Sequence, residues 1–173
     1  MKEKHTVTAD ELAEILFQLF VLNDEVKIRE QDLGPYVIDT YSQNTIFQKH
    51  IYFYLVALIA VALTSEFERR ENIAKSIRKF RQLANAEAQK RWNIFQYEAD
   101  NIVEETADKL AKLLFTDRNK ERAVSFEWGK DYLGQVMVDS TNPIVLWKIS
   151  MFWMNRFLTL MKAIASLDLS NKK

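Results

Sequence analysis

Between Tyr36 and Trp128 the chain runs for 93 positions without a glycine or a proline. No other feature constrains its folding more. Glycine supplies the positive φ of tight turns and proline breaks helices by removing a donor, so a segment lacking both has few ways to turn. The whole chain of 173 residues holds only 3 glycines and 2 prolines, at Gly34, Pro35, Gly129, Gly134 and Pro143. A turn-rich β-sandwich is excluded, and so is a glycine-rich phosphate or dinucleotide loop inside this block. The expectation is an all-α helical bundle of about five helices in a single domain, residues 1–173, with helices over 9–22, 35–64, 66–115, 118–128 and 143–167.

The helix starts carry local signals. Thr8 and Glu11 have the spacing of a capping box, and Val7 and Leu12 that of a hydrophobic staple. Leu12, Ile15, Leu16, Leu19 and Leu22 then follow helical spacing as the expected buried stripe. Val26 and Ile28 alternate as in a strand, but no partner strand is evident, so a short turn or loop is expected there. Pro35 suits the first turn of a second helix. Ser65 and Glu68 repeat the capping-box spacing and predict a third helix starting near Glu66. Asn142 and Pro143 mark the start of the last one.

The third helix is the unusual one. Its apolar stripe runs Ile77, Phe80, Ala84, Ala88, Trp92, Phe95, Ala99, Ile102, Thr106, Leu110 and Leu113, and the mean step is 3.6 residues. That is the period of an unbroken α-helix. A 50-residue helix spans about 75 Å, against a radius of gyration near 16 Å for a compact chain of this length. Either the helix breaks, with Asn85 the expected place, or a second copy covers the overhang.

Charge sharpens the second option. The formal net charge is zero, yet it sums −4 over residues 1–65, +4 over 66–91, −3 over 92–131 and +3 over 132–173. The basic block holds Arg69, Arg70, Lys75, Arg78, Lys79, Arg81, Lys90 and Arg91; the acidic stretch holds Glu98, Asp100, Glu104 and Asp108. Two antiparallel copies of the helix would set one against the other, which predicts a homodimer. Nucleic-acid binding through residues 69–91 is the runner-up. The neutral total and the i,i+4 pairs Glu66–Arg70, Glu71–Lys75 and Glu87–Arg91 favour a solvated, salt-laced face instead.

Two segments are strongly apolar. His50 to Ser65 is uncharged for 16 residues, short of the roughly 20 that a bilayer span needs, and reads as a buried central helix. Residues 143–167 have a narrow polar stripe of Lys148, Asn155, Thr159 and Lys162, with aromatics and methionines elsewhere. Tyr52, Phe53, Trp147, Met151, Trp153 and Phe157 are therefore candidates for an apolar interface or pocket. A peripheral membrane contact or an apolar-ligand sensor is a further alternative on the same residues.

Catalytic constellations are missing from the sequence. There is no cysteine, and the only histidines, His5 and His50, have no second ligand at metal spacing. Asp100, Glu104 and Asp108 share a helix face, a pattern explained by pairing with nearby lysines. Gly129-Lys130 is followed by Asp131, so no phosphate loop forms. The N-terminus has no apolar signal region, which predicts a cytoplasmic address. The expected function is a non-enzymatic protein–protein interaction subunit or adaptor, self-associating and without a cofactor.

Overall fold

The computed structural model describes residues 6–23, 45–67, 73–115 and 143–169. Among them five helices form an all-α bundle, labelled in chain order as α1 (Ala9–Leu16), α2 (Thr45–Phe67), α3 (Ala74–Trp92), α4 (Gln96–Phe115) and α5 (Pro143–Ser166). Two short strands, β1 (Thr6–Val7) and β2 (Asp168–Leu169), pair in parallel and tie the start of α1 to the end of α5. The expected helix over 118–128, the 35–44 start of the second helix and the 24–33 segment lie outside the described residues.

The first cap forms as its spacing predicts. The Glu11 N–H donates to Thr8 Oγ1 at 3.2 Å, and the Thr8 N–H donates to Glu11 Oε2 at 2.7 Å. The Thr8 N–H on the carboxylate, and after it the Thr8 hydroxyl, hold Glu11 below the usual carboxylate range. Past Leu16 the helix widens to π geometry over Phe17–Leu22. The buried face is set from the start of α1, before the widening. Leu12, Ala13, Leu16, Phe17 and Val21 are buried, whereas Ile15 and Leu19 of the expected stripe are exposed. Ala13, Phe17 and Val21 step by four residues and lie beside Leu12 and Leu16, so the buried stripe is a helical one other than the leucine stripe. Phe17 then meets Phe80 of α3 edge-on at 6.2 Å.

α2 is the centre of the bundle. Every residue from Ile51 to Leu63 is buried, as its all-round apolar sequence requires. It is also long and apolar enough to cross a membrane, but 72% of that window is buried inside the fold. The expected cap at Ser65 does not form, because α2 continues to Phe67. Inside the helix the Thr64 and Ser65 hydroxyls donate back to the carbonyls of Ala60 and Ala62.

The predicted 66–115 helix is not continuous. α3 starts at Ala74 and ends at Asn93, where the chain turns back into α4. Asn93 has φ 54° and ψ 38°, the left-handed region, and its N–H donates to the Gln89 carbonyl at 2.9 Å. Asparagine is the residue besides glycine that best tolerates this conformation. Lys90 and Arg91 complement the negative end of α3. The Phe95 carbonyl then accepts from Glu98 and Ala99 to open α4. The break lies eight residues beyond Asn85, which stays inside α3.

A helical hairpin explains how the stripe keeps its phase across a break. Phe80, Ala84 and Ala88 on α3 and Ala99, Thr106 and Leu110 on α4 are all buried, α3 packing chiefly on α1 and α4 chiefly on α2. Only the slot at the turn changes, with Ile94 buried and Phe95 exposed. The overhang that a 75 Å helix would have does not arise. α2 packs most extensively on α4 and also contacts α3 and α5. Tyr52 Oη donates to the Ala84 carbonyl at 2.7 Å, tying α2 to α3 through the core.

Candidate interaction surfaces

The hairpin brings the segregated charges together within one chain. Arg81 of α3 bridges Glu104 of α4 at 3.2 Å, and Asn85 Nδ2 donates to Asp100 Oδ1 at 3.0 Å. Lys75 and Lys79 turn the other way, to Asp10 and Glu14 of α1 at 3.5 and 3.8 Å. Lys90 and Arg91 share Glu87, at 3.8 and 2.6 Å. Of the described basic-block cations, Arg78 alone lacks a carboxylate partner among the described residues. Arg69 and Arg70 lie outside them. Glu98 and Asp108 are exposed on α4. A row of cations interleaved with carboxylates presents little net field to a phosphate backbone, so this arrangement lends the nucleic-acid alternative no support.

The apolar candidates split into two groups. Tyr52, Phe53 and Trp153 are core residues. Tyr52 and Phe53 pack with Trp92, at ring distances of 5.1 and 6.2 Å, under the Arg91 guanidinium. Trp153 packs on Tyr54 at 4.6 Å. Phe157 is half-buried. Trp147 and Met151, by contrast, face outward at 54% and 38% exposure, with Leu158 at 47% on the same side. Positions 147, 151 and 158 recur at helical spacing, so they form one stripe along α5 beside its buried face. Lys148 and Lys162 flank the stripe, and neither has an ion-pair partner among the described residues.

Two exposed features were not anticipated. Ile15 and Leu19 lie at 37% and 50% exposure on α1, next to the exposed Glu11 and Glu14. The signal for them was Ala13 and Phe17, an alternative stripe at i,i+4 that the leucine pattern masked. Phe95 and Tyr97 stack at the hairpin turn, rings 6.2 Å apart and 11° from parallel, both exposed. Asn93 followed by two apolar residues was the sequence sign of that turn.

One groove of about 560 Å³ opens between α2 and α4. Ala60, Ala107 and Ala111 line it, with Arg81, Glu104 and Asp108 as its charged groups. Its Thr64 and Ser65 hydroxyls are turned to their own helix. Among the described residues no group of histidines and carboxylates is arranged to hold a metal ion. The groove brings together neither a nucleophile with a base nor an oxyanion donor pair. His50, half-buried at the start of the apolar run, is held below the usual histidine range, first by burial and then by neighbouring Lys49. No family model, curated protein or solved structure matches the chain.

Proposed function

We propose that this chain is a non-enzymatic helical interaction protein, an adaptor or assembly subunit, that docks a protein partner on the outer stripe of α5. The observation that carries the reading is the stripe itself. Trp147, Met151 and Leu158 are large apolar side chains left in water along one helix face, and Lys148 and Lys162, without an ion-pair partner among the described residues, border them. An apolar centre with a polar rim, anchored by tryptophan and methionine, is the usual composition of a recognition surface. A helix laid along i, i+4 and i+11 anchors is the simplest occupant.

The test is site-specific crosslinking. A photoreactive p-benzoylphenylalanine replaces Trp147 and, as a control, Gln82, an exposed position on α3. Irradiation of the expressing cells is expected to give a discrete protein adduct from position 147 and none from position 82. Absence of any protein adduct at 147, or adducts to lipid only, contradicts the reading.

A further inference from the structure

Within the reading just given, on which this step rests, we propose that the occupant of the α5 stripe is helix α1 of a second copy of the chain. The two exposed stripes are complementary. On α5, Trp147, Met151 and Leu158 are bordered by Lys148 and Lys162, and no acidic side chain lies between Pro143 and Ser166. On α1, Ile15 and Leu19 are bordered by Glu11 and Glu14, and no basic side chain lies between Ala9 and Leu22. Lys75 and Lys79 approach Asp10 and Glu14 from the α3 side. Among the described residues Glu11 is engaged by its own cap, through Oε2.

Charge selects this pairing over one between two α5 stripes. Two α5 stripes face to face would set Lys148 and Lys162 against their own kind, whereas α1 offers them Glu11, Glu14 being bridged to Lys79 of its own chain. Like charges across an interface suppress a pairing, and opposite ones fix its register. Length fits as well. The α1 stripe from Glu11 to Leu19 covers about 12 Å at 1.5 Å per residue, which lies within the roughly 21 Å from Lys148 to Lys162. The five exposed apolar residues offer about 450 Å² of surface in one contact. A two-fold pair makes the contact twice, for about 900 Å² before its polar rim is added, short of the roughly 1,200 Å² of a stable specific interface and in the range of a weak, reversible dimer. This surface takes the place of the long-helix contact that the charge pattern first indicated, since the 66–115 segment breaks at Asn93 and Arg81 is bridged to Glu104 within one chain.

The absence of cysteine makes the test clean. Leu19→Cys and Met151→Cys are prepared as separate single-cysteine proteins, mixed, and treated with a short bis-maleimide. Both positions are exposed, so thermal melts matching the parent chain confirm folding. The mixed product is expected to exceed either self-product several-fold. Light scattering is expected to report a dimer or larger assembly. Lys148→Glu with Lys162→Glu in the Met151→Cys protein is expected to abolish the mixed product. A self-product at position 19 or 151 that dominates overturns the proposal, as does a monomer with no product at all. The photo-crosslink at position 147 separates the two levels. An adduct to a different protein removes the second copy while keeping the α5 docking face, and no protein adduct removes both.

Discussion

Replacing Asn93 distinguishes a hairpin from a rod by the sign of the effect. In the left-handed region a residue with a Cβ costs about 1–2 kcal/mol, and asparagine recovers part of that through its short polar side chain. Asn93, at φ 54°, should therefore lose about 1 kcal/mol on substitution by alanine, and more on substitution by valine. Glycine carries no such penalty and should be neutral or stabilising by a few tenths. In a continuous helix the order reverses. Alanine is then better than asparagine by roughly 0.6 kcal/mol, and glycine is worse than both. Urea unfolding followed by circular dichroism resolves these differences, and about 1 kcal/mol moves the thermal midpoint by about 2–4 °C in a chain of this size. Asn93→Ala more stable than the parent, with Asn93→Gly less stable, would refute the turn.

Other outcomes follow from the same packing. Arg81→Ala should change stability by less than about 0.5 kcal/mol, because the Arg81–Glu104 bridge is exposed on both sides; a loss above about 2 kcal/mol in urea melts would mean that the bridge, not the apolar stripe, holds the hairpin. Trp153→Ala should cost about 3–5 kcal/mol by leaving a cavity against Tyr54, with near-UV circular dichroism reporting the loosened core. Tyr52→Phe removes a buried hydrogen bond to Ala84 and should cost about 0.5–1.5 kcal/mol in the same melts. His50 is held neutral by burial and Lys49, so its contribution is present above the unfolded-state value of about 6.5 and is lost as pH falls through the lower folded value. His50→Gln should flatten the decline in stability between about pH 7 and pH 5; an unchanged slope would rule the histidine out as its source.

The helices were legible wherever local chemistry decides them. Thr8 and Glu11 cap α1 as their spacing demands, Ile51 to Leu63 is buried throughout, and α5 starts at Pro143. The errors have one physical origin, in that helical phase does not record direction. The stripe from Ile77 to Leu110 keeps its helical step because each arm of the hairpin buries its own inner face, α3 chiefly on α1 and α4 chiefly on α2, so periodicity alone cannot reveal the reversal at Asn93. Ser65 has the right spacing for a cap, yet the apolar surroundings of α2 carry the helix past it. Leu12 to Leu22 matched a regular stripe, but the Ala13, Phe17 and Val21 stripe is the one buried beside Leu12 and Leu16, while Ile15 and Leu19 are exposed. Among candidate site residues, composition found Trp147 and Met151 but could not separate them from Trp153 and Tyr52. Which face of α5 meets α2 is a matter of tertiary packing.

The most direct test of the account is a distance across the turn. Nitroxide labels at Arg78→Cys and Lys109→Cys, both exposed and in a background without cysteine, report it by pulsed electron resonance, with unlabelled chain added to suppress contacts between copies. A hairpin places the two positions on neighbouring helices, with axes about 8–10 Å apart, and should give label distances of roughly 10–25 Å. A continuous helix would separate them by about 46 Å, and a distribution centred there would contradict the internal pairing of α3 with α4.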